Sequence, residues 1–535
     1  MRMNVRMPQL RSGLFVFASL VLVFFASDSG WAQVRATSAA NRERKAEANL
    51  AAAKKNPLQL RHFLLTMPKG ADLHYHLSGG VYAESFIRAA GEDGLCVDPL
   101  KLAFAKPVSE ADRPADSNGS AGCGAGTVPA ASVPGNQKLY DALVDSFSMR
   151  GFVATPGWTA HDQFFATFDR FGGTKPVHKA EWVDEAAARA AGQNEQYLEL
   201  METPDFSIAA RAAAQSGWTE DFAALRQKLL ANGLRENVKP AVERFHEIEA
   251  QRREREHCGQ PDEMSACRVT VKFVYQVLRG LPKEMVFAQM VLALETVSAD
   301  PENVVGLNFV MPEDGYVSMH DYALQMKMVK FLHGVYPKVH IALHAGELAY
   351  GLVPPDGLCC HIRLAVDAGA ERIGHGVDVI YEDHPHQLMK EMAEKHVMVE
   401  INLTSNDVIL GVSGKNHPLP LYRMFGVPVA LSTDDEGVSR IDLTNEYVRA
   451  VETYDLSYAD LKKMARTGLE HAFLPGTSLW AKPDVFTTVV RACERDTLGA
   501  DKGVTKVCEG FLRENEKAQQ QWELERRLRI FEGQP

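Results

Sequence analysis

The feature of this sequence that most constrains its fold is a series of short apolar segments that alternate with longer helical patterns. Eight such segments follow Met67, and each is bounded by polar or glycine-containing sequence. They are Ala71–Leu77, Tyr197–Glu202, Val269–Val277, Val304–Val310, Val339–His344, Arg372–Val377, Val397–Asn402 and Pro428–Ser432. Strands that alternate with helices form a parallel sheet, and eight of them predict a (β/α)8 barrel.

The rest of the chain departs from this alternation at both ends and in two internal stretches. The predicted organisation is a signal peptide at 1–33, an N-terminal helical segment at 34–66, the barrel at 67–475 and a C-terminal helical extension at 476–535. Residues 92–135, rich in Gly, Ala, Ser and Pro, predict an insertion after the first strand. The charged residues 207–256 predict a lid or an outer layer.

The first 33 residues have the pattern of an export signal. Three arginines precede an apolar run from Leu14 to Ala26, and a cleavage point follows at Ala32 or Gln33. A membrane anchor is the alternative, but this run is shorter than the roughly 20 residues that span a bilayer. We therefore expect a secreted or periplasmic protein that is not membrane-bound in its mature form.

Because the chain is expected to be exported to an oxidising compartment, we expect its eight cysteines to be partly oxidised to disulfides. Proximity suggests the pairs Cys96 with Cys123, Cys258 with Cys267 and Cys493 with Cys508. Cys359 and Cys360 remain, and because a bond between neighbouring cysteines would be strained, we expect both to be free and partly buried.

Candidate metal ligands stand at the ends of the first, fifth and eighth segments. His74 and His76 are two residues apart, so on a strand both imidazoles point the same way; a satisfied polar pair is the alternative. His344 ends the fifth segment. Asp434 and Asp435 end the eighth, where two adjacent carboxylates are costly to bury without a cation, although one of them could instead cap a helix.

Two further groups stand beside these candidates. Glu347 follows His344 after the small residues Ala345 and Gly346, which let the chain turn back over the site; a helix N-terminal acid is the alternative. His375 lies between two glycines at the end of the sixth segment. Nitrogen and oxygen ligands together favour one catalytic Zn²⁺ over Mg²⁺ or Ca²⁺. The fourth segment, VVGLNFV, offers no lysine or carboxylate to bridge a second ion.

The motifs MPKGADLHYHL, HAGE, RIGHG and STDD, in this order, resemble those of the adenosine/AMP deaminase family of the amidohydrolase superfamily. The resemblance spans about Met67 to Pro475 and implies that His74, His76, His344 and Asp434 bind zinc. It further implies that Glu347 is the proton shuttle at purine N1 and that His375 orients the metal-bound hydroxide. By the same resemblance, Asp435 forms a hydrogen bond with N7, and Gly306 lies near N3.

The signal, the insertion and the segment INLTSNDVILGVSGKNHPL are similar to those of the extracellular, growth-factor-like branch of this family. Many members have aspartate where this chain has Ser78, and that aspartate is associated with the sugar. The resemblance thus implies hydrolysis of adenosine, and of 2'-deoxyadenosine, to the inosine product and ammonia, with Ser78 in the place of a sugar contact.

The sequence is also compatible with other interpretations. The substrate could be adenine, AMP or a modified nucleoside, although the net charge of -11 and the lack of a basic cluster near the motifs disfavour AMP and nucleic acid. A non-catalytic extracellular binding or signalling protein is a second class, which the complete set of ligands and Glu347 disfavours. A homodimer through the terminal helices is a further hypothesis.

Overall fold

The structure is a computed structural model that describes residues 39–107, 122–204 and 206–534. The predicted signal peptide lies outside these ranges. Within them, no helix has the length and apolar character needed to cross a bilayer.

Eight parallel strands form the centre of the molecule and pair in sequence order. They are β1 (Gly70–His76), β2 (Glu195–Glu202), β3 (Thr270–Leu278), β4 (Val304–Val310), β5 (His340–Ala345), β6 (Arg372–His375), β7 (Met398–Ile401) and β8 (Val429–Leu431). Each end lies within two residues of the predicted one. A bridge between Tyr75 and Asp434 brings β8 back to β1, so the predicted (β/α)8 barrel is confirmed.

The strands are apolar because both of their faces are covered. All residues of β1 and β2 are buried. A separate apolar cluster contains Met201, Val274, Val305 and Ala342 from four successive strands, together with Phe473, which follows the helix Tyr458–His471. The barrel is therefore filled by side chains below the end that carries the polar motifs.

Helices surround the barrel and connect its strands. Before β1 lie residues 39–53 and Pro57–Thr66. Between β1 and β2 lie Leu77–Gly80, Ala83–Glu92, Gln137–Ser146, Ala160–Phe171 and Lys179–Gly192, and between β2 and β3 lie Ser207–Ser216, Phe222–Leu229 and Arg235–Arg255. Later connections contain Lys283–Ala299, Tyr316–Val335, His361–Ala368, Pro385–Glu394, Leu403–Leu410 and Leu419–Phe425. After β8 come Glu436–Ser439, Leu443–Tyr454, Tyr458–His471, Lys506–Glu514 and Glu516–Gly533.

The insertion after β1 contains a small antiparallel sheet of its own, formed by Cys96–Asp98, Ala103–Ala105 and Val128–Pro129. A disulfide between Cys96 and Cys123 ties its first strand to the segment that leads into its last. The stretch is therefore more regular than its composition suggested.

The disulfides agree with the sequence in three cases and differ in one. Cys96–Cys123, Cys258–Cys267 and Cys493–Cys508 are bonded as predicted. The prediction that Cys359 and Cys360 are free is wrong, because they are bonded to each other. The backbone at Cys360 takes a left-handed conformation (φ 86°) at the start of helix His361–Ala368, which the sequence alone does not reveal.

Candidate metal-dependent active site

Four predicted ligands converge at the carboxyl end of the barrel. The Nε2 atoms of His74 and His76 each lie 3.1 Å from Nε2 of His344. Oδ1 of Asp434 lies 3.3 Å from Nε2 of His74 and 3.2 Å from Nε2 of His76. All four residues are buried. Residues from β1, β5 and the end of β8 thus place three nitrogens and one oxygen around a common point.

Closure of the barrel fixes the position of Asp434 relative to the first two histidines. The backbone N–H of His76 donates to Asp434 O at 3.1 Å, and the N–H of Asp434 donates to His74 O at 2.9 Å. Asp434 has φ 61°, a conformation that is unfavourable for a residue with a side chain. The hydrogen bonds to β1 maintain this conformation and direct the carboxylate to the histidines.

Each predicted ligand is hydrogen-bonded to a second residue that lies outside the sequence motifs. Nδ1 of His74 lies 2.6 Å from Oε2 of Glu400, Nδ1 of His76 lies 2.6 Å from Oε1 of Gln276, and Nδ1 of His344 lies 2.9 Å from Oδ1 of Asn308. Ser405 Oγ donates to Asp434 Oδ2 at 2.6 Å. Gln276, Asn308 and Glu400 are polar residues inside strands whose other residues are mainly apolar, and this pattern could have indicated them from the sequence.

The four predicted ligands are called the metal cluster below. The hydrogen bonds of their partners indicate which ring nitrogen of each histidine carries the proton. Asn308 Oδ1 also accepts the backbone N–H groups of Phe309 and His344, so it is an acceptor for Nδ1. With the proton on Nδ1, each neutral imidazole presents a bare Nε2 lone pair to the common point, beside a carboxylate oxygen. Tetrahedral zinc with bonds of 2.0–2.1 Å would separate its ligand atoms by about 3.3 Å, close to the distances found. The residues present therefore fit a divalent cation.

Glu347 lies beside this cluster, and a buried ion pair holds its backbone. Glu313 accepts the N–H of Gly346 at 3.1 Å and that of Glu347 at 2.9 Å. The same carboxylate accepts from His361 at 2.5 Å and lies 3.6 Å from Arg279. Burial opposes ionisation, but Arg279, His361 and the hydrogen bonds lower the pKa of Glu313 to about 2.

The side chain of Glu347 is in the opposite electrostatic situation. It is buried, and burial followed by the charges of Asp434 and Glu313 raises its pKa well above the ordinary value. Its Oε1 lies 3.5 Å from Nε2 of His375. A carboxyl group whose pKa is raised in this way is suited to act as a general acid.

His375 lies behind Glu347 and Asp434 and is fully buried. Its Nε2 is 3.9 Å from Oδ2 of Asp434. Asn406 Nδ2 donates to Nδ1 of His375 at 2.8 Å. The structure thus brings His375 to the edge of the metal cluster without making it one of the four converging ligands.

Asp435 and Ser78 line the cavity above the cluster. Burial raises the pKa of Asp435 to about 7, with His76 opposing the shift and Asp434 adding to it. Its Oδ1 is buried and has no hydrogen-bond partner among the described residues. A Cβ atom on Gly79 would lie 1.5 Å from this oxygen, so glycine at position 79 is required for Asp435 to take its place.

The cavity above these residues has a volume of about 1240 Å³. The helix Ala160–Phe171 contributes Phe164, Phe165 and Phe168 to its wall. The predicted lid segment also contributes, through Ile208 and Pro240 among others. The wall is mainly apolar, whereas the floor contains the metal cluster and Glu347.

One predicted site residue does not reach this cavity. A Cβ atom on Gly306 would point to Phe473 at 2.8 Å and to His340 O at 3.1 Å, in the filled interior near the beginning of β5. Gly306 is therefore required for packing, and its predicted contact with a base is corrected. The residue after β4 that does line the cavity is Met311, which has φ 93°.

A family model described as adenosine deaminase matches residues 181–479 of this chain. The match includes His344, Glu347, His375 and the pair Asp434 and Asp435, and it begins after β1. An adenosine deaminase of Escherichia coli is 39% identical over 136 residues, which are 25% of this chain and 38% of that protein. The chain thus matches about two-fifths of the length of the curated relatives.

Solved structures to which this chain is similar include an adenine deaminase of Arthrobacter aurescens. The two sequences are 14% identical, and the alignment covers 76% of this chain and 94% of that chain with a TM-score of 0.48. An N6-methyl-AMP deaminase of Arabidopsis thaliana has 19% identity, with 77% of this chain and 94% of that chain covered, and a TM-score of 0.46.

Proposed function

The chain belongs to the adenosine deaminase family, a family of metal-dependent aminohydrolases, and from this premise we propose that it hydrolyses adenosine to inosine and ammonia with one zinc ion per chain. The same reaction is proposed for 2'-deoxyadenosine. The ion would be held by His74, His76, His344 and Asp434. When bound, zinc supplies Lewis acidity that brings the pKa of water toward roughly 7.

The observation that carries the proposal is the arrangement of two buried carboxyl groups, Glu347 and Asp435, in the cavity floor beside the four predicted metal ligands. Addition of water at C6 of a purine requires a proton at N1, and the protonated Glu347 can donate it. The carboxylate that remains can take up a proton released by the water as it adds and pass it to the amino group, which leaves as ammonia. The proton of the C6 hydroxyl then restores the carboxyl form of Glu347. Asp435 has an unpartnered Oδ1 in the cavity floor, and when protonated it can donate to N7.

The remaining residues position these groups. Glu313 holds the backbone of Glu347 through two N–H groups, which keeps the carboxyl over the site. His375 directs a ring nitrogen toward Glu347 and Asp434, where it can orient the attacking water. Ser78 lies in the cavity wall, in the place assigned to a sugar contact by family resemblance.

The first prediction concerns Glu347→Gln. The amide keeps the shape but cannot deliver the proton, so kcat for adenosine should fall by about 10²- to 10⁴-fold while bound zinc stays at one per chain. The kcat is measured from the loss of the aminopurine absorbance, and bound zinc is measured by metal analysis. Zinc-loaded wild-type protein that turns over none of adenosine, deoxyadenosine, adenine and AMP would refute the activity; normal turnover by the variant would refute the role of Glu347.

A phosphorylated or otherwise enlarged substrate is the second candidate. The cavity volume of about 1240 Å³ exceeds the range of roughly 300–1,000 Å³ that is common for small-molecule sites. Lys179 and Arg244 lie in its wall, and Lys179 is paired with Glu202. A higher kcat/KM for AMP than for adenosine in the same assay would favour this candidate.

We further propose that the mature protein is secreted or periplasmic. The proposal is supported by the N-terminal sequence, and the disulfides are consistent with an oxidising compartment. N-terminal sequencing of the protein recovered outside the cytoplasm should begin near Gln33 or Val34. Recovery of uncleaved protein from the cytoplasm would contradict it.

A further inference from the structure

A buried histidine lies behind the active site and has no role in the proposed reaction. His417 follows the short helical turn Gly414–Asn416 and is 3% exposed. Its two ring nitrogens are both hydrogen-bonded, one to the backbone and one to Asn406. Asn406 in turn contacts His375. The three side chains thus form a continuous path that begins at a backbone amide and ends beside the metal cluster.

The direction of the first hydrogen bond is fixed, because a backbone N–H can only donate. The N–H of Leu419 donates to Nδ1 of His417 at 3.1 Å, so Nδ1 carries no proton. The proton of the neutral ring is therefore on Nε2. This N–H donates to Oδ1 of Asn406 at 3.0 Å.

The second half of the path follows from the first. Since Oδ1 of Asn406 faces His417, its Nδ2 faces His375 and donates to Nδ1 at 2.8 Å. Nδ1 of His375 is then an acceptor, and the proton is on Nε2. This is the nitrogen that lies 3.5 Å from Glu347 Oε1 and 3.9 Å from Asp434 Oδ2. Asn402 Nδ2 lies 3.5 Å from both ring nitrogens of His375 and does not select between them.

We propose that His417 and Asn406 are positioning residues that hold the proton of His375 on Nε2, directed at the metal cluster. The inference rests on the proposed function, since a histidine that orients water must present one defined nitrogen to it. A purely structural role for this path, in holding the loop around Gly414–Asn416, would leave the tautomer of His375 independent of position 406.

The test is Asn406→Asp in the zinc-loaded protein. A carboxylate has nearly the same shape but only accepts, so it draws the proton of His375 to Nδ1. Protein labelled with [¹⁵N]histidine reports the protonated nitrogen through two-bond ¹⁵N–¹H correlations, and the signals of His375 are assigned by their loss in His375→Ala. We expect Nε2–H in the wild type and Nδ1–H in Asn406→Asp. The kcat should fall on the order of 10²-fold with KM within about twofold.

Two further variants separate positioning from folding. His417→Ala leaves the Asn406 amide unfixed, so His375 should populate both tautomers, and adding this change to Asn406→Asp should not lower kcat further. Asn416→Asp introduces the same charge at an exposed neighbouring position and should leave both tautomer and kcat unchanged.

We call the path of hydrogen bonds from His417 through Asn406 to His375 the relay. The possible results distinguish failure of the relay from failure of the proposed function. His375 with Nε2–H in both Asn406→Asp and His417→Ala would overturn the relay. If Asn406→Asp does not fold, the spectrum of His417→Ala decides alone. A wild-type protein that shows Nε2–H but deaminates no purine would contradict the proposed function and leave the relay standing.

Discussion

Asp434 and Asp435 are neighbours of the same chemical type, yet their surroundings give them opposite properties. Both are buried. Burial opposes ionisation of Asp434, but hydrogen bonds from His74 and His76 and nearby positive charge hold its pKa well below the ordinary value. Burial raises the pKa of Asp435 to about 7. Asp434 is therefore suited to the proposed role of an anionic ligand, and Asp435 to that of a carboxyl group that can carry a proton.

Gly79→Ala tests the position of Asp435. The new methyl group would overlap Oδ1 of Asp435, so the carboxyl must leave its place. If this carboxyl binds the base, kcat/KM for adenosine should fall about 10- to 100-fold, which corresponds to 1–3 kcal/mol for a lost buried hydrogen bond.

Gly468→Ala is the matched control for this substitution. A Cβ atom at position 468 has its nearest neighbour at 3.7 Å, and the residue lies within helix Tyr458–His471, where alanine is favoured over glycine. Activity should be retained. Equal kinetics for Gly79→Ala and wild type would contradict the role of Asp435.

At the scale of elements, the segments that follow β4 and β5 are joined into one unit by Glu313. Its carboxylate accepts two N–H groups from the turn after β5, and Arg279 at the end of β3 lies beside it. Arg279 also donates to His344 O at 3.1 Å. Neighbouring strand ends are thereby fixed relative to one another, which positions Glu347 over the cluster.

Glu313→Gln should change stability in a pH-dependent way. The pKa of Glu313 is lowered from 4.5 to about 2 in the folded protein, so its ionisation stabilises the fold above about pH 4.5 and this contribution is lost as the pH falls toward 2. The shift corresponds to roughly 3 kcal/mol. Urea unfolding in the presence of chelator should show a deficit for the variant at pH 7 that shrinks below pH 4.5.

The exposed Glu302 supplies the control for this experiment. At each pH between 3 and 7, Glu302→Gln should have the same free energy of unfolding as the wild type. A deficit of Glu313→Gln that stayed constant over this range would show that lost packing, and not the charge, causes the effect.

At the scale of the whole molecule, the metal cluster joins the two ends of the barrel sequence. His74 and His76 come from the first strand, His344 from the fifth, and Asp434 follows the last. A cation bound by these four residues would link β1, β5 and the segment after β8, where the barrel closes. Metal binding should therefore stabilise the closed barrel as well as the active site.

Metal removal tests this coupling. A ligand at 1,000 times its Kd that binds only the folded state stabilises it by about 4.1 kcal/mol. The chelator dipicolinate should therefore lower the Tm of the zinc-loaded protein in calorimetry. The Tm of His344→Ala should change much less when the chelator is added. Identical Tm values for the wild type with and without chelator, with zinc loss verified by analysis, would contradict the assignment.

The sequence determined the eight strands to within two residues, because strands covered on both faces must be apolar and the intervening helices are long. It also indicated the four candidate ligands, since they stand at the strand ends where barrel enzymes carry their sites. The tertiary structure decided what depends on neighbours distant in sequence: the partners Glu400, Gln276 and Asn308, the Cys359–Cys360 bond, and the position of Gly306. Periodicity specifies which residues face inward, but only packing specifies which residue each of them meets.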